Sequence, residues 1–273
     1  MTTDPALRAP SRTAMMVALA RAGHLLEHGR RALVDDPYAW PLVGALAEPL
    51  RAEFRPVLAE DESPLLTWFA ARSRIAEDWL ADSGSDQYVI LGAGLDTFAW
   101  RQAGGTRVFE VDHPGSQAWK RARVADLFMP EPPELTWVPV DFEQDALGPA
   151  LATAGVDPAA STFVNWLGVI PYLTREAILD TLRALPSCRL AMSYVPPDEY
   201  RDEDARRLGA IMEAAVAAMG EPFLTLLSSA DLADLLAEAG LELLDDLGAH
   251  DVEPTYGLRA LAYERIALAH KRG

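Results

Sequence analysis

Short apolar runs alternate with helical segments over the second part of the chain. The runs have the length of buried strands and occupy residues 87–91, 107–111, 135–140, 162–167 and 189–195. Segments with helical spacing lie between them, at 114–128, 146–154 and 175–185. Strands and helices that alternate at this spacing predict βαβ units in an α/β fold. Because the strand runs are almost wholly apolar, we expect a doubly wound, mostly parallel sheet covered on both faces.

The two ends of the chain have a different pattern. Residues 1–82 read as helices without a strand, and they predict an N-terminal helical cap in front of a core at 83–273. The charged, Ala-rich segment 198–219 predicts a helical insert in that core. A helix at 229–239 and two strands at 241–246 and 259–267 follow, and the last two strands could form an antiparallel edge. The expected sheet therefore has seven strands.

Composition narrows the classes of function. The chain has 273 residues and a formal net charge of −17, so nucleic acid and anionic membranes are unfavourable partners. No apolar run approaches membrane-spanning length and no secretory signal pattern is present, which predicts a cytoplasmic protein. Cys188 is the sole cysteine and is expected to be a small buried hydrophobe. His24 and His28 are four residues apart, but no third ligand is evident, so no metal site is predicted.

The turn after the first strand run carries the first candidate site. Gly92 and Gly94 let the backbone turn sharply and approach a ligand at the carboxyl end of a strand. The third glycine of a dinucleotide fingerprint would fall on Thr97, and Asp96 places negative charge where phosphates would lie. A cofactor without phosphate and with a positive sulfonium fits better. The turn therefore favours S-adenosyl-L-methionine over NAD.

Polar and aromatic residues follow the next strand runs. Glu110 and Asp112 end the second run and are candidates for binding the ribose hydroxyls. Asp141 could bind the exocyclic amine of adenine, and Phe142 could pack on its ring. Asn165 lies in the fourth run near its carboxyl end, where an acceptor should approach. A carboxylate of the cofactor would need an arginine, and helix 64–81 offers Arg72 and Arg74 on different faces.

Several sequence words together resemble a known family. They read ARSR at 71–74, VILGAGLDT at 89–97, VFEVDHP at 108–114, VDFE at 140–143 and WLGVIPYLT at 166–174, with DDPYA at 35–39. In this order they resemble the leucine carboxyl methyltransferase family, in its bacterial branch of S-adenosyl-L-methionine-dependent methyltransferases. The resemblance covers about residues 14–195.

The resemblance implies a class I methyltransferase fold, Rossmann-like, with an N-terminal helical cap. It also implies that Arg72 holds the methionine carboxylate, that Gly92 contacts the cofactor, that Asp112 binds ribose, and that Asp141 with Phe142 binds adenine. The chain departs from the family at Leu167, where an acidic residue is frequent. Asn165 or backbone carbonyls near Gly92 are the alternatives for binding the methionine ammonium.

The expected reaction is methylation of a carboxyl or hydroxyl oxygen on a small molecule. A carboxylate needs no general base, whereas a hydroxyl can need one, and the titratable candidates are His113, Tyr172, Tyr194 and His250. The cap and the 198–219 insert are expected to form the acceptor pocket. An NAD-dependent oxidoreductase and a cofactor-binding protein without catalysis remain as alternatives.

Overall fold

A seven-stranded mixed sheet forms the centre of the protein. The computed structural model describes residues 12–54 and 63–273, so the parts of the predicted cap at 1–11 and 55–62 lie outside the described residues. The strands are β1 (Gln87–Leu91), β2 (Arg107–Asp112), β3 (Leu135–Pro139), β4 (Thr162–Trp166), β5 (Cys188–Tyr194), β6 (Leu241–Leu247) and β7 (Arg265–Lys271). Their order is β3-β2-β1-β4-β5-β7-β6. Strands β1 to β5 pair in parallel, which confirms the doubly wound, mostly parallel sheet.

The last two strands differ from the prediction in bounds and connection. Strand β7 is antiparallel to both β5 and β6, as the expected antiparallel edge requires. It begins at Arg265, however, so the predicted strand 259–267 was wrong over its first part. Leu261 and Tyr263 made that segment look like a strand, yet they are buried in the core cluster beside the cap without joining the sheet. A helix separates β6 from β7, so the two do not form a tight hairpin.

Helices cover both faces of the sheet. They are α1 (Arg12–His28), α2 (Ala39–Val43), α3 (Ala47–Glu53), α4 (Pro64–Ser83), α5 (Phe98–Arg101), α6 (Pro114–Asp126), α7 (Leu147–Thr153), α8 (Arg175–Ala184), α9 (Glu203–Ala218), α10 (Ser229–Glu238) and α11 (Ala249–Tyr256). The sequence pattern missed α5 and α11. Helix α5 has only four residues, and α11 contains several polar residues and Pro254. Within residues 12–54 and 63–273, no helix combines the length and the apolar character needed to cross a bilayer.

Alternate residues of each central strand enter different cores. Tyr88 and Ile90 of β1 pack in the cluster with the N-terminal helices, whereas Val89 and Leu91 pack with α7, α8 and α10. This alternation follows from the two-residue repeat of a strand. Cys188 is buried in the second cluster, as predicted, and burial raises the pKa of its thiol to about 12.

The N-terminal helices meet the sheet directly. Helix α1 packs against α2 and α4, and α4 also packs against β4 and β5. Helix α4 begins at Pro64 and ends before Gly84, whose left-handed backbone closes it. The contacts with β4 and β5 place α4 directly on the sheet. The division into a cap at 1–82 and a core at 83–273 stays a prediction.

A buried histidine lies in α1. His24 is fully buried, its Nε2 accepts a hydrogen bond from the Leu33 amide at 3.2 Å, and its ring centroid is 4.3 Å from that of His28. Burial, followed by the proximity of His28, lowers the pKa of His24 from 6.5 to about 4. Among the described residues, His, Cys, Asp and Glu side chains form no group of three that could hold a metal ion.

We predict that replacing His24 removes part of the acid sensitivity of the fold. As the pH falls from 6.5 towards 4, the unfolded chain takes up a proton on His24 before the folded chain does, so stability is lost in that window. The loss should amount to at most about 3 kcal/mol. Urea unfolding of wild type and His24→Gln at pH 7.5, 5.5 and 4.5 measures it. The matched control is His250→Gln, at an exposed position. An unchanged pH slope in His24→Gln would contradict the prediction.

Candidate active site

A cavity of about 520 Å³ lies at the carboxyl ends of β1, β2 and β4, and we call it the switch-point cavity. The chain runs outward from β1 to β2 and β3 on one side and from β4 to β5 on the other, so the strand order reverses here. Ligands of open α/β sheets bind at such a point. Helix α1 closes the cavity with side chains that include Met16, Val17 and Arg21.

The turn after β1 has a conformation that requires glycine. Gly92 and Gly94 have φ values of +66° and +50°. The amides of Gly92 and Ala93 both donate to the carbonyl oxygen of Val111, at 2.8 and 3.1 Å, which binds the turn to β2. A Cβ atom at Gly92 would lie 2.5 Å from Cγ2 of Val169. The turn therefore brings the backbone close to the cavity at a position where any residue larger than glycine would collide with Val169.

Asp112 lies in the cavity and is oriented by the same turn. Its carboxylate accepts hydrogen bonds from the Gly94 amide at 2.5 Å and from the His113 amide at 2.7 Å. Burial raises the pKa of Asp112 above its ordinary value, although both amides oppose the shift. The half-buried carboxylate still has lone pairs that face the cavity, so it can accept further hydrogen bonds from a ligand.

Glu110, the other ribose candidate, lies outside the cavity. Its side chain is fully buried and 2.5 Å from Nζ of Lys120 on α6. Burial raises the pKa of Glu110 to about 7, against the opposing charge of Lys120. The two acidic residues of β2 thus have separate surroundings, because Asp112 is at the open end of the strand and Glu110 is covered by α6.

Arg72 faces the cavity, whereas Arg74 does not. Nη1 of Arg72 lies 2.7 and 2.5 Å from Oε1 and Oε2 of Glu264. Arg74 instead forms a surface ion pair with Asp78 one helical turn away. Glu264 was not predicted from the sequence, because the residue lies in a loop before β7 and no motif surrounds it.

The end of β4 contributes an unpaired acceptor. Asn165 is buried and lines the cavity, and its Oδ1 has no hydrogen-bond partner among the described residues. Leu167 and Gly168 follow on the cavity wall, and a Cβ atom at Gly168 would lie 2.9 Å from Nη2 of Arg72. An amine donor in the cavity would satisfy the Asn165 oxygen.

The two adenine candidates have different positions. Phe142 lines the cavity. The carboxylate of Asp141 accepts hydrogen bonds from the Glu143 amide at 3.0 Å and from Nε2 of Gln144 at 2.8 Å. These local bonds stabilise the turn at residues 141–144. Asp141 is also 3.8 Å from Nε2 of His113. It therefore stands beside the cavity rather than among the residues that line it.

Of the four catalytic candidates, Tyr172 and His113 line the cavity. Burial raises the pKa of Tyr172 above its ordinary value. Nδ1 of His113 accepts a hydrogen bond from the Gly115 amide at 3.1 Å and caps α6. Tyr194 belongs to the core on the other face of the sheet, where its hydroxyl donates to Asp246 at 2.8 Å. His250 is exposed on α11. Tyr194 and His250 are therefore not among the residues that line the cavity.

A carboxylate that the sequence did not reveal lies on the opposite wall. Glu221 belongs to the loop after α9, and its Oε2 accepts a hydrogen bond from the Thr13 hydroxyl at 2.8 Å. The rings of Tyr172 and Phe223 meet edge to face, with centroids 5.2 Å apart. This end of the cavity is aromatic and contains a carboxylate.

Comparison with known proteins supplies the family. The profile of the leucine carboxyl methyltransferase family matches residues 14–185. A Mycobacterium tuberculosis protein, whose name places it among the S-adenosyl-L-methionine-dependent methyltransferases, is 37% identical over 201 residues. That match covers 67% of this chain and 66%, just under two thirds, of the relative. The protein YktD of Bacillus subtilis, named in the same way, is 31% identical over 226 residues, covering 73% of this chain and 72% of YktD.

Solved structures share the fold. A DUF574 family protein from Streptomyces avermitilis has a TM-score of 0.60 at 18% identity and covers 90% of this chain and 98% of its own. The pyocyanin biosynthetic protein PhzM has a TM-score of 0.51 at 15% identity and covers 94% of this chain and 69% of its own. These similarities confirm the class I methyltransferase fold.

We predict that Gly92→Ala weakens binding of S-adenosylhomocysteine at least about tenfold, because the new methyl group displaces the turn from Val169. Gly84→Ala is the matched control. Gly84 has a similar φ of +60°, and a Cβ atom there meets nothing within 4 Å. Both variants should lose about 1 kcal/mol of stability from the left-handed backbone. Calorimetric titration and urea unfolding separate the two effects. Equal affinity in both variants would refute the role given to the turn.

Proposed function

The chain belongs to the leucine carboxyl methyltransferase family, its cofactor is S-adenosyl-L-methionine, and we propose that it methylates an oxygen atom of a small-molecule acceptor. The observation that carries the proposal is the division of the switch-point cavity into two ends. The glycine turn, Asp112 and Arg72 form an end suited to a nucleoside and an amino acid. Glu221 and Tyr172 belong to an aromatic end that suits an acceptor.

The residues at the first end fit the cofactor. We assign the ribose hydroxyls to Asp112, because its carboxylate is half-buried and oriented by two amides. Phe142 would pack against adenine, and Arg72 would bind the methionine carboxylate. The unpaired Oδ1 of Asn165 would accept a hydrogen bond from the methionine ammonium. In this assignment Asn165 takes the place of an acidic side chain at position 167.

The charges of the cavity disfavour a dinucleotide. Arg21 and Arg72 are the arginines that line it in the described part of the chain. Each is already paired with a buried acid, Arg21 with Asp36 at 2.9 Å and Arg72 with Glu264. Each pair is neutral overall, so neither supplies the net positive charge that a pyrophosphate needs, and Asp96 faces the same space. A positively charged sulfonium is instead attracted by this environment.

The second end favours a neutral acceptor. Met212, Phe223 and Tyr263 provide apolar surface, and Glu221 provides negative charge. An acceptor carboxylate would be repelled by Glu221 and would find no unpaired arginine there. A hydroxyl group would instead donate a hydrogen bond to Glu221. We therefore favour a hydroxyl-bearing aromatic or apolar compound over a carboxylic acid.

The chain has a limited chemical task in this reaction. S-adenosyl-L-methionine supplies a methyl carbon that its positive sulfur already activates. The protein must hold the acceptor oxygen in line, accept the hydroxyl proton and keep water out. Glu221 is our candidate for the proton acceptor, and Thr13 fixes its orientation. His113 is less suited, because its Nδ1 caps α6.

We predict that the protein transfers labelled methyl groups to phenols and not to aromatic carboxylic acids of the same skeleton. Glu221→Gln should slow this transfer about 100-fold, because the amide cannot accept the proton. Its affinity for S-adenosylhomocysteine should change less than about twofold, because Glu221 lies at the acceptor end. Product analysis by mass spectrometry and calorimetry measure both quantities. Glu199→Gln, at an exposed position outside the cavity, is the control and should behave as wild type.

Other outcomes would select other functions. Labelled methyl esters would show that the acceptor is a carboxylate. Binding of S-adenosylhomocysteine without labelled product from a metabolite extract would favour a cofactor-binding protein without catalysis. Binding of NAD in place of S-adenosylhomocysteine would refute the proposal.

A further inference from the structure

A buried carboxylate forms the floor of the switch-point cavity where no sequence motif marks one. Glu264 is 3% exposed and lies one residue before β7. Its partners come from α4 and β5, far away in the sequence. We propose that Glu264 is a positioning residue, which orients Arg72 so that one edge of the guanidinium binds the carboxylate of the cofactor. The inference rests on the cofactor site of the proposed function.

Glu264 has no capacity left to bind a ligand itself. Oε1 accepts from Nη1 of Arg72 at 2.7 Å and from the Ser193 hydroxyl at 2.7 Å. Oε2 accepts from the same Nη1 at 2.5 Å and from Nε1 of Trp68 at 2.8 Å. A carboxylate has about four lone-pair sites, and four contacts occupy them. Glu264 can therefore affect a ligand only through the groups that it holds.

Arg72 is left with one edge that has an unpartnered donor in the described part of the chain. Both bonds to Glu264 use Nη1, which lies on the side of the guanidinium away from Nε. Nε is buried and has no partner among the described residues, and Nη2 lies beneath Gly168. Nε and Nη2 form the parallel pair of donors that matches a carboxylate. The unsatisfied Nε indicates that this edge is built for an acceptor that the protein does not supply.

Two further contacts restrict the guanidinium. Its Cζ lies 4.7 Å from the ring centroid of Phe69, which supports one face of the plane. The Ser193 hydroxyl accepts a hydrogen bond from the Gly168 amide at 2.8 Å while it donates to Glu264. Ser193 thus binds both the Gly168 backbone, which lies next to Arg72, and the carboxylate of Glu264. The orientation of the Nε and Nη2 edge follows from these constraints.

The charge of the pair also suits the ligand. Arg72 and Glu264 are both almost fully buried, and a buried arginine without a partner would be costly. Together they are neutral. The amino-acid end of the cofactor carries one positive and one negative charge, so it too is neutral overall. Glu264 therefore allows a buried arginine to bind the carboxylate without repelling the neighbouring ammonium.

The test compares two ligands that differ at that end. S-adenosylhomocysteine carries the carboxylate, whereas 5′-methylthioadenosine has the same nucleoside and sulfur without the amino acid. We expect Glu264→Gln to weaken the binding of S-adenosylhomocysteine about tenfold or more. The binding of 5′-methylthioadenosine should weaken less than about twofold. Asp112→Asn is the comparison variant and should weaken both, because both contain the ribose. Calorimetric titration gives the affinities, and thermal unfolding of each variant gives its stability.

A double-mutant cycle decides whether Glu264 acts through Arg72. Arg72→Gln should show the same selective loss, and Arg72→Gln with Glu264→Gln should lose no more. The double variant also leaves no unpaired buried charge, so it gives the answer even if Glu264→Gln fails to fold. Equal weakening of both ligands in Glu264→Gln, or a further loss in the double variant, would overturn the inference. Failure of wild type to bind S-adenosylhomocysteine would instead reject the cofactor site of the proposed function.

Discussion

The turn after β1 is joined to the end of β2 by backbone hydrogen bonds from Gly92 and Ala93 to Val111. The parallel pairing of the two strands and the positive φ of Gly92 make these bonds possible. The same turn then directs the Gly94 amide to Asp112 and presents the Leu95 carbonyl to Arg21 of α1. One short segment therefore shapes the cavity around Asp112 and is bound to the helix that closes it.

Buried ion pairs join distant parts of the chain around this segment. Arg21 pairs with Asp36, Lys120 with Glu110, and Arg72 with Glu264. Because each cation already has a buried partner, these pairs leave the cavity without free positive charge in the described residues. The strongly acidic composition first indicated only that anionic partners were unfavourable. Inside the cavity, the absence of free positive charge among the described residues suits a positively charged sulfonium.

The sequence predicted the parts of the fold and site that depend on local pattern. Apolar runs located β1 to β5. The turn and the strand ends led to Gly92 and Asp112, and the family resemblance led to Arg72. The sequence could not separate Glu110 from Asp112, because the covering by α6 depends on tertiary packing. Glu221 and Glu264 were missed for a related reason. Both lie in loops without a motif, and only the folded chain brings them to the cavity. The start of β7 was misplaced because burial without strand pairing gives the same apolar signal.

The position of Glu264 beside β7 links assembly of the site to the order in which the chain is made. Strand β7 pairs with β5 so that Arg265 faces Tyr194, and neighbouring Glu264 reaches Ser193 on the other face of the sheet. During synthesis, β1 to β5 and α4 leave the ribosome before β7 does. Arg72 therefore lacks its buried partner until the segment just before β7 has been made. The glycine turn and Asp112 belong to the first half of the chain, whereas the surroundings of Arg72 are completed only when β7, the last strand in the sequence, pairs with β5.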